Sequence, residues 1–388
     1  MFYPLRIPGG DPWARKVPAV RLATLVAALL VTAASVAAQS ADDRYPFVKN
    51  GKVGFINSEG REVIPAQFSN AGDSAHFQEG LAPVAGAEGA GYIDPSGKFV
   101  IGPQSVWGSA QAFREGVASV LIWGKNGALN TPALIDRSGK IIYARGEAAA
   151  GVFSEGLMPL SVKGKWGFVD KSFQMVIPPQ FDWAFAFSEG LASVQIGRKW
   201  GFVDKSGRVV IPPKYDLASQ FRDGLARVRY DIPDGTVMTE EGRQTARRHQ
   251  YGFIDHEGNE VIPPQFAEAT YFSEGYAMAS PPNSKLLGII DKTGNFVHEP
   301  EFESGSEFHE GLAAAGVNGK YGYIDTSGSW VIAPTLSHAG DFWHGLARVG
   351  WRGGAEYGYI NKRGEAVWKN TRDGAGAGGS ASPRAGSK

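Results

Sequence analysis

Hydrophobic residues along this chain come in short runs punctuated by glycine, proline and charged turns. Leu191-Ala192-Ser193-Val194 leads to Lys199-Trp200-Gly201-Phe202-Val203-Asp204-Lys205-Ser206-Gly207, and then to Val209-Val210-Ile211-Pro212-Pro213. Each run has the length and the β-branched or aromatic content of a strand, so the pattern predicts three short strands, here called a, b and c. One unit earlier the same order runs through Leu157 to Leu160, Lys165-Trp166-Gly167-Phe168-Val169-Asp170, and Val176-Ile177-Pro178-Pro179. The glycine of strand b recurs at 54, 91, 167, 201, 252, 288, 322 and 358, with Ala133 standing in once. A corner of the form Phe-x-acid-Gly places glycine at 80, 116, 156, 190, 224, 275, 311 and 345, with His344 replacing the acid in the last. Recurrence at a fixed period marks a repeat architecture.

The turns explain the strand boundaries. Between b and c stands Asp-x-Ser-Gly or a relative, as at Asp204 to Gly207 and Asp325 to Gly328. Aspartate at the first position of a type I turn accepts backbone N–H bonds, and glycine at the fourth takes the left-handed conformation. Proline after strand c has no N–H to give and ends the ladder. These turns, the b-strand position and the corners account for nearly half of the 52 glycines, so the glycine content reflects turns and not a floppy chain.

The array starts on a strand a at Tyr45 to Lys49 and ends on a strand c at Ala366 to Trp368, giving nine meanders. From each b-strand position to the next corner glycine the steps are 26, 25, and then 23 residues throughout. From corner to the next b-strand position they are 11, 17, 11, 11, 28, 13, 11 and 13, so length variation is concentrated in the a–b hairpin. In a stacked array such insertions emerge on one face, often the binding face. The expected fold is all-β, with about nine tandem three-stranded meanders in an open solenoid-like array. A closed propeller-like ring is the alternative, disfavoured because blades usually need four strands and units of ~40–50 residues, whereas the tightest repeats here are 34.

The Lys-Trp-Gly-Phe-Val-Asp cores at 165–170 and 199–204, with Lys320-Tyr321-Gly322-Tyr323-Ile324-Asp325 and the Phe-Ser-Glu-Gly-Leu-Ala corner at Phe187 to Ala192, resemble the WG-repeat (KWG-repeat) proteins of bacteria. The resemblance covers residues 45–368, with Ala133 and Phe173 departing from the pattern. It implies a β-rich repeat array, often on exported proteins, and brings no catalytic residues with it.

Composition adds an address. Arg15, Lys16 and Arg21 precede an uncharged run from Leu22 to Ala38 that closes on Val36-Ala37-Ala38. This predicts a cleaved signal peptide over 1–38, followed by a short linker at 39–44, the repeat array at 45–368 and a Gly/Ala/Ser-rich disordered tail at 369–388. At 17 residues the run is shorter than the ~20 a bilayer-spanning helix needs, so no stable membrane insertion is expected after cleavage. Cleavage removes four of 39 basic and one of 39 acidic residues, leaving a formal charge of −3 that draws the protein to neither nucleic acid nor anionic lipid. With no cysteine there is no disulfide, no thiolate chemistry and no Cys-ligated metal. A periplasmic or secreted location follows.

Candidate chemistry is sparse. The recurring Asp94, Asp136, Asp170, Asp204, Asp255, Asp291 and Asp325 sit where turns want a short acceptor, and the corner acids Glu79, Glu115, Glu155, Glu189, Asp223, Glu274 and Glu310 are read as structural too. None of the seven histidines forms a His-x-x-x-His pair, although His338 and His344 flank one corner. No nucleophile elbow or phosphate loop is present. Neither a metal nor a cofactor is expected, and the protein reads as no enzyme. Trp166, Trp200, Tyr251, Tyr321 and Tyr357 are expected to pack between meanders. Trp123 and Trp351, in enlarged hairpins, are the candidate partner contacts, with Lys125, Arg243, Arg247, Arg248, Lys285 and Arg352 on the same set of loops; solubilising charge is the bland alternative for the basic ones. The expected function is a protein- or peptide-binding envelope scaffold. Carbohydrate or peptidoglycan binding is the alternative, and a hydrolase a distant third.

Overall fold

The computed structural model describes residues 43–69, 75–123, 130–143, 153–239, 242–351 and 356–370. The predicted signal segment 1–38, residues 39–42 of the linker and the tail from 371 lie outside them. Every regular element among the described residues is a strand, and the strands form nine small antiparallel sheets. The fifth shows the unit: strand a is Ala192–Ile196, b is Lys199–Val203 and c is Val209–Tyr215. Its b–c turn is built as the sequence predicts. Gly207 donates its N–H to the Asp204 carbonyl, and the Asp204 carboxylate accepts from the Ser206 and Arg208 N–H groups at 3.0 and 3.1 Å. Gly207 has φ +84°, a conformation open to few other residues. Phe173 stands at that turn position in the fourth sheet and also has φ 59°; its ring stacks on Tyr143 at 5.0 Å.

The strand-b glycine has a steric reason. A Cβ on Gly201 would lie 2.5 Å from the Ile211 carbonyl oxygen and 2.8 Å from the Pro213 nitrogen. Strand c crosses directly over the bare backbone there, and the register shifts between Trp200 and Phe202. The same crossing recurs over Gly167, Gly252 and Gly322.

Two expectations are corrected. Six of the nine sheets carry a fourth strand ahead of strand a, as short as Trp183–Ala184 and as long as His338–Trp343. Because this extra strand can be two residues long, a 34-residue unit suffices for a four-stranded blade. The array is also not an open solenoid. The first sheet packs on the ninth, and Tyr45, Phe47 and Ile56 share one core with Leu346 and Tyr359. The Tyr45 hydroxyl donates to the His344 carbonyl at 2.6 Å, and the Tyr359 hydroxyl to the Pro46 carbonyl at 2.8 Å. The Val48 N–H donates to the Tyr357 hydroxyl at 2.6 Å. The nine sheets are therefore the blades of a closed, propeller-like ring.

The core lies between blades rather than within them. Trp166, Phe168, Ile177 and Phe181 of the fourth blade pack on Ala184, Phe187, Ala192 and Val194 of the fifth. Trp166 and Trp200 are buried, as their repeat positions predict. In most units the corner phenylalanine meets the aromatic after the strand-b glycine of the preceding blade: Phe113 with Tyr92, Phe187 with Phe168, Phe221 with Phe202 and Phe342 with Tyr323, at 4.7 to 4.9 Å. No described residue precedes Asp43, so the first blade has no such phenylalanine in view. Tyr45 stands where seven other units have alanine and one has Met158, and its ring meets Tyr359 at 5.4 Å. The large residue closes the junction.

Contacts between blades also fix the sidedness. Each of the seven corner acids accepts the N–H of the next blade's corner glycine; Glu155, for example, takes that of Gly190 at 3.1 Å. Six of these acids also meet a cationic or histidine side chain from the next blade's b–c turn, such as Lys205 with Glu155 at 3.1 Å. The corner acids thus tie neighbouring blades together and do more than cap their own turn. Corners and b–c turns share one face. In an antiparallel meander the a–b hairpins then leave from the opposite end of the strands, together with the links from c to the next blade.

Candidate functional site

The hairpin face carries the variation in loop length. In the sixth blade, strands Leu225–Thr239 and Gly242–Ile254 extend the hairpin into a ribbon paired out to Thr239 and Gly242. Beyond the Tyr230–Gln250 pair this projects about 30 Å at the usual strand rise. Its base is anchored. The Tyr230 hydroxyl donates to Glu260 at 2.6 Å, and Asp231 meets Arg229 at 3.0 Å and His249 at 2.7 Å. Burial, with the Glu260 bond second, pushes the Tyr230 phenol well above its ordinary pKa.

The predicted contact residues that are described fall on this face but on several blades. Arg243 and Arg247 lie in the ribbon's second strand, and their side chains are outside the described residues. Arg248, nearer the base, is half-buried. Lys285 is exposed on the adjacent seventh blade. Trp123 is 47% exposed and lies flat over Gly108 of its own blade. Trp351 has a packing duty that the sequence did not reveal: it is half-buried, and the Lys369 ammonium sits 4.7 Å from its ring centroid. Lys125 and Arg352 lie outside the described residues. Sequence reasoning missed Trp183, which is 44% exposed and tilts against Trp166.

Six of the turn aspartates and, among the corner acids, Glu115 are held below the usual carboxylate range. Asp204 falls to about pKa 2 through its Ser206 hydrogen bond first; burial opposes this, and Arg208 and the turn N–H groups add to the lowering. At Glu115 burial pushes the pKa up, but Lys171 and the Gly156 N–H outweigh it and hold the group below the usual range. Such groups suit turns and blade junctions, not general acid work near neutral pH. Among the described residues no cluster of three or more histidine or acidic side chains is placed to hold a metal, and no helix is long and apolar enough to cross a membrane.

The inner wall of the ring adds a feature the sequence did not foretell. Arg222 of the sixth blade pairs with Glu307 of the eighth at 2.8 Å, and the His76 ring of the second meets Trp343 of the ninth at 5.4 Å. Residues two blades apart meet only close to the axis, so the segments leading into the corners line it. At the junction of the ninth and first blades they border a cavity of about 700 Å³, lined in part by His76, Arg114, His338, Trp343, His344 and Arg348. His338 and His344 do converge here, as their spacing around the corner allows, but His344 is paired with Asp43.

The sequence profile described as WG containing repeat matches at residues 54–85, 91–125, 166–200, 200–231, 251–280, 288–321 and 321–350, together more than half of the chain. No curated protein matches the sequence significantly. Among solved structures, the chain is similar to the dihydro-heme d1 dehydrogenase NirN, at 14% identity and TM-score 0.42, covering 74% of this chain and 72% of that one. It is also similar to apo AztD from Citrobacter koseri, at 11% identity and TM-score 0.36, covering 85% and 94%. Kluyveromyces lactis Hsv2 aligns at 8% identity and TM-score 0.34, covering 73% and 90%. Likenesses this remote carry no argument about what this chain does.

Proposed function

The chain belongs to the WG-repeat family, and from that premise we propose that it is an exported, non-catalytic scaffold that binds a protein or peptide across the hairpin face of its ring. The observation that carries this reading is the contrast between a uniform ring and the unequal hairpins on one of its faces, above all the Leu225–Thr239 and Gly242–Ile254 ribbon. Rigid frames that vary only in their loops commonly bind through those loops. Export rests on the basic Arg15-to-Arg21 segment and the apolar run to Ala38, and periplasmic or secreted protein is the expected product. The turn and corner carboxylates are occupied in holding the ring, which supports a role without catalysis.

The test is capture of envelope proteins by the mature chain, compared with a variant in which residues 233–247 are replaced by a two-residue turn. That cut spares the Asp231, Arg229 and His249 anchor, so the melting temperature should hold while capture is lost. Equal capture by both forms refutes the reading. A second reading, carbohydrate binding, is favoured by Trp183 and Phe185, two exposed rings on one short segment. Retention on insoluble peptidoglycan that Trp183→Ala abolishes would select it. Fractionation and N-terminal sequencing of the processed chain test export.

A further inference from the structure

The sixth blade is a full sheet only at the base of its ribbon. The inner strand Leu217–Arg222 pairs no further out than Arg229, and strand c, Glu260–Phe266, no further than Tyr251. From there strand c leaves for Glu268–Ala269 of the next blade. Beyond Tyr230 and Gln250 two strands run on without a third among the described residues, paired out to Thr239 and Gly242. A lone two-stranded ribbon is marginally stable in water, and each of its edges offers a row of backbone N–H and C=O groups.

The two edges are unequal. On the side towards the axis, the Asp231 N–H is already taken by the Asp216 carboxylate at 3.0 Å. Pro233, the next residue turned that way, has no N–H, and the register shifts between it and Thr236. The other edge has no such obstacle. Tyr251 and Phe253 face strand c, so in an antiparallel ribbon every second residue towards the tip turns its backbone groups to that same side. These are His249, Arg247, Thr245 and Arg243, and no proline interrupts them.

This edge is also basic. Gly242–Ile254 contains Arg243, Arg247 and Arg248 and no acidic residue. The ribbon's register sets Met238, Pro233 and Ile232 directly across from the three arginines, none of them charged. A second copy of the chain adding through the same edge would bring arginine against arginine, which is unfavourable. The chain's own C-terminal segment, 371–388, matches no better, with three basic residues against one acid.

We infer that the ribbon captures its partner by strand addition: an extended acidic segment of a protein pairs along Arg243 to His249, in line with strand c. Main-chain hydrogen bonds supply the affinity in this mode, and side chains set the choice of partner. The inference rests on the hairpin-face reading and gives it a chemical class of partner.

Titration calorimetry of the mature chain with a capped peptide of alternating glutamate and valine, about eight residues long, tests it against the same peptide with lysine for glutamate. The acidic peptide should bind about tenfold or more tightly than the basic one. Thr245→Pro removes an outward N–H and should weaken the acidic peptide about tenfold or more while the melting temperature holds. Should that variant fold poorly, the double change Arg243→Glu and Arg247→Glu decides, because it keeps every backbone group and should cancel the preference for the acidic peptide. Equal affinity for the two peptides, undiminished binding by folded Thr245→Pro, a preference that survives both arginine changes, or no binding up to roughly 1 mM each overturns the inference. Envelope capture separates it from the reading beneath it. Capture lost on replacing residues 233–247 but kept by Thr245→Pro sinks strand addition alone, whereas capture that survives both sinks the hairpin-face reading as well.

Discussion

The Tyr359 hydroxyl donates to the Pro46 carbonyl at 2.8 Å across 313 residues of chain. Tyr92 and Tyr323 hold the same repeat position and donate to the Gln111 and Gly340 carbonyls, which lie on the next blade's approach to its corner. At the closure the equivalent bond runs instead to strand a of the first blade. Tyr357 takes the neighbouring edge groups, accepting from the Val48 N–H and donating to the Val48 carbonyl at 3.2 Å. In the fifth blade the two corresponding edge carbonyls, of Ser193 and Gln195, accept from Phe185 and Asp182 of the inner segment. Tyrosine hydroxyls thus stand in for an inner strand, and the ring closes by side chains.

Tyr359→Phe should therefore destabilise the ring. It removes a buried hydroxyl and leaves the Pro46 carbonyl unpaired, at a cost of about 1–3 kcal/mol. Urea unfolding would show the loss as a lower midpoint with an unchanged slope. A midpoint equal to that of the parent would mean that the bond contributes nothing to closure.

Gly201→Val should be far more damaging. The added Cβ would fall 2.5 Å from the Ile211 carbonyl oxygen, and the obstacle is the backbone of strand c, which cannot swing aside like a side chain. Overpacking of this kind costs typically 1–3 kcal/mol and more where backbone must move. Loss of soluble folded protein, or a large drop in melting temperature, is the expected result.

Acid should weaken the ring in a defined window. The Asp204 carboxyl is lowered to about 2, and Asp94, Asp136, Asp255, Asp291 and Asp325 are lowered too, chiefly by hydrogen bonds within their turns or, at Asp255, by such bonds outweighing burial. A depressed folded pKa gives stability that is full above the unfolded value near 3.9 and lost as pH falls through the folded one. Stability should drop between about pH 4 and pH 2. A variant with Asp94, Asp204 and Asp325 changed to Asn should show a shallower drop by circular dichroism, and an identical profile would discount the turns.

Much of this was legible in the sequence because it is local. Asp204 to Gly207 fixes a turn within four residues, and Gly201 marks the crossing of two adjacent strands. The extra strand was not legible: Trp183–Ala184 is too short to show any alternation, and its pairing with Val194 and Gln195 is a tertiary choice. Closure depends on the angle between blades, which no single unit displays. Its one trace in the sequence is Tyr45, a large ring at a position that is otherwise nearly always alanine. The cavity joins residues as distant as Tyr45 and Arg348, and Trp351 looked unpartnered because Lys369 reaches it from a strand end.

The closing junction also departs from the repeat in its charges, and that departure is testable. Strand register aligns Tyr45 with Ala82, since they pair with Ile56 and Ile93 at the same turn of the meander. Asp43 then occupies the corner-glycine position and His344 the corner-acid position. Elsewhere an acid accepts a glycine N–H; here a histidine meets an aspartate side chain. His344→Glu alone sets two carboxylates against each other and should cost about 1 kcal/mol, the scale of a partly exposed pair. Asp43→Gly alone removes the pair and should cost a similar amount. Combined, the two changes restore the acid and glycine found at the seven junctions described, so the double variant should recover stability that the sum of the single losses would deny it. Urea midpoints of the four proteins measure the coupling. Strictly additive losses would show that the junction is held by its tyrosines alone.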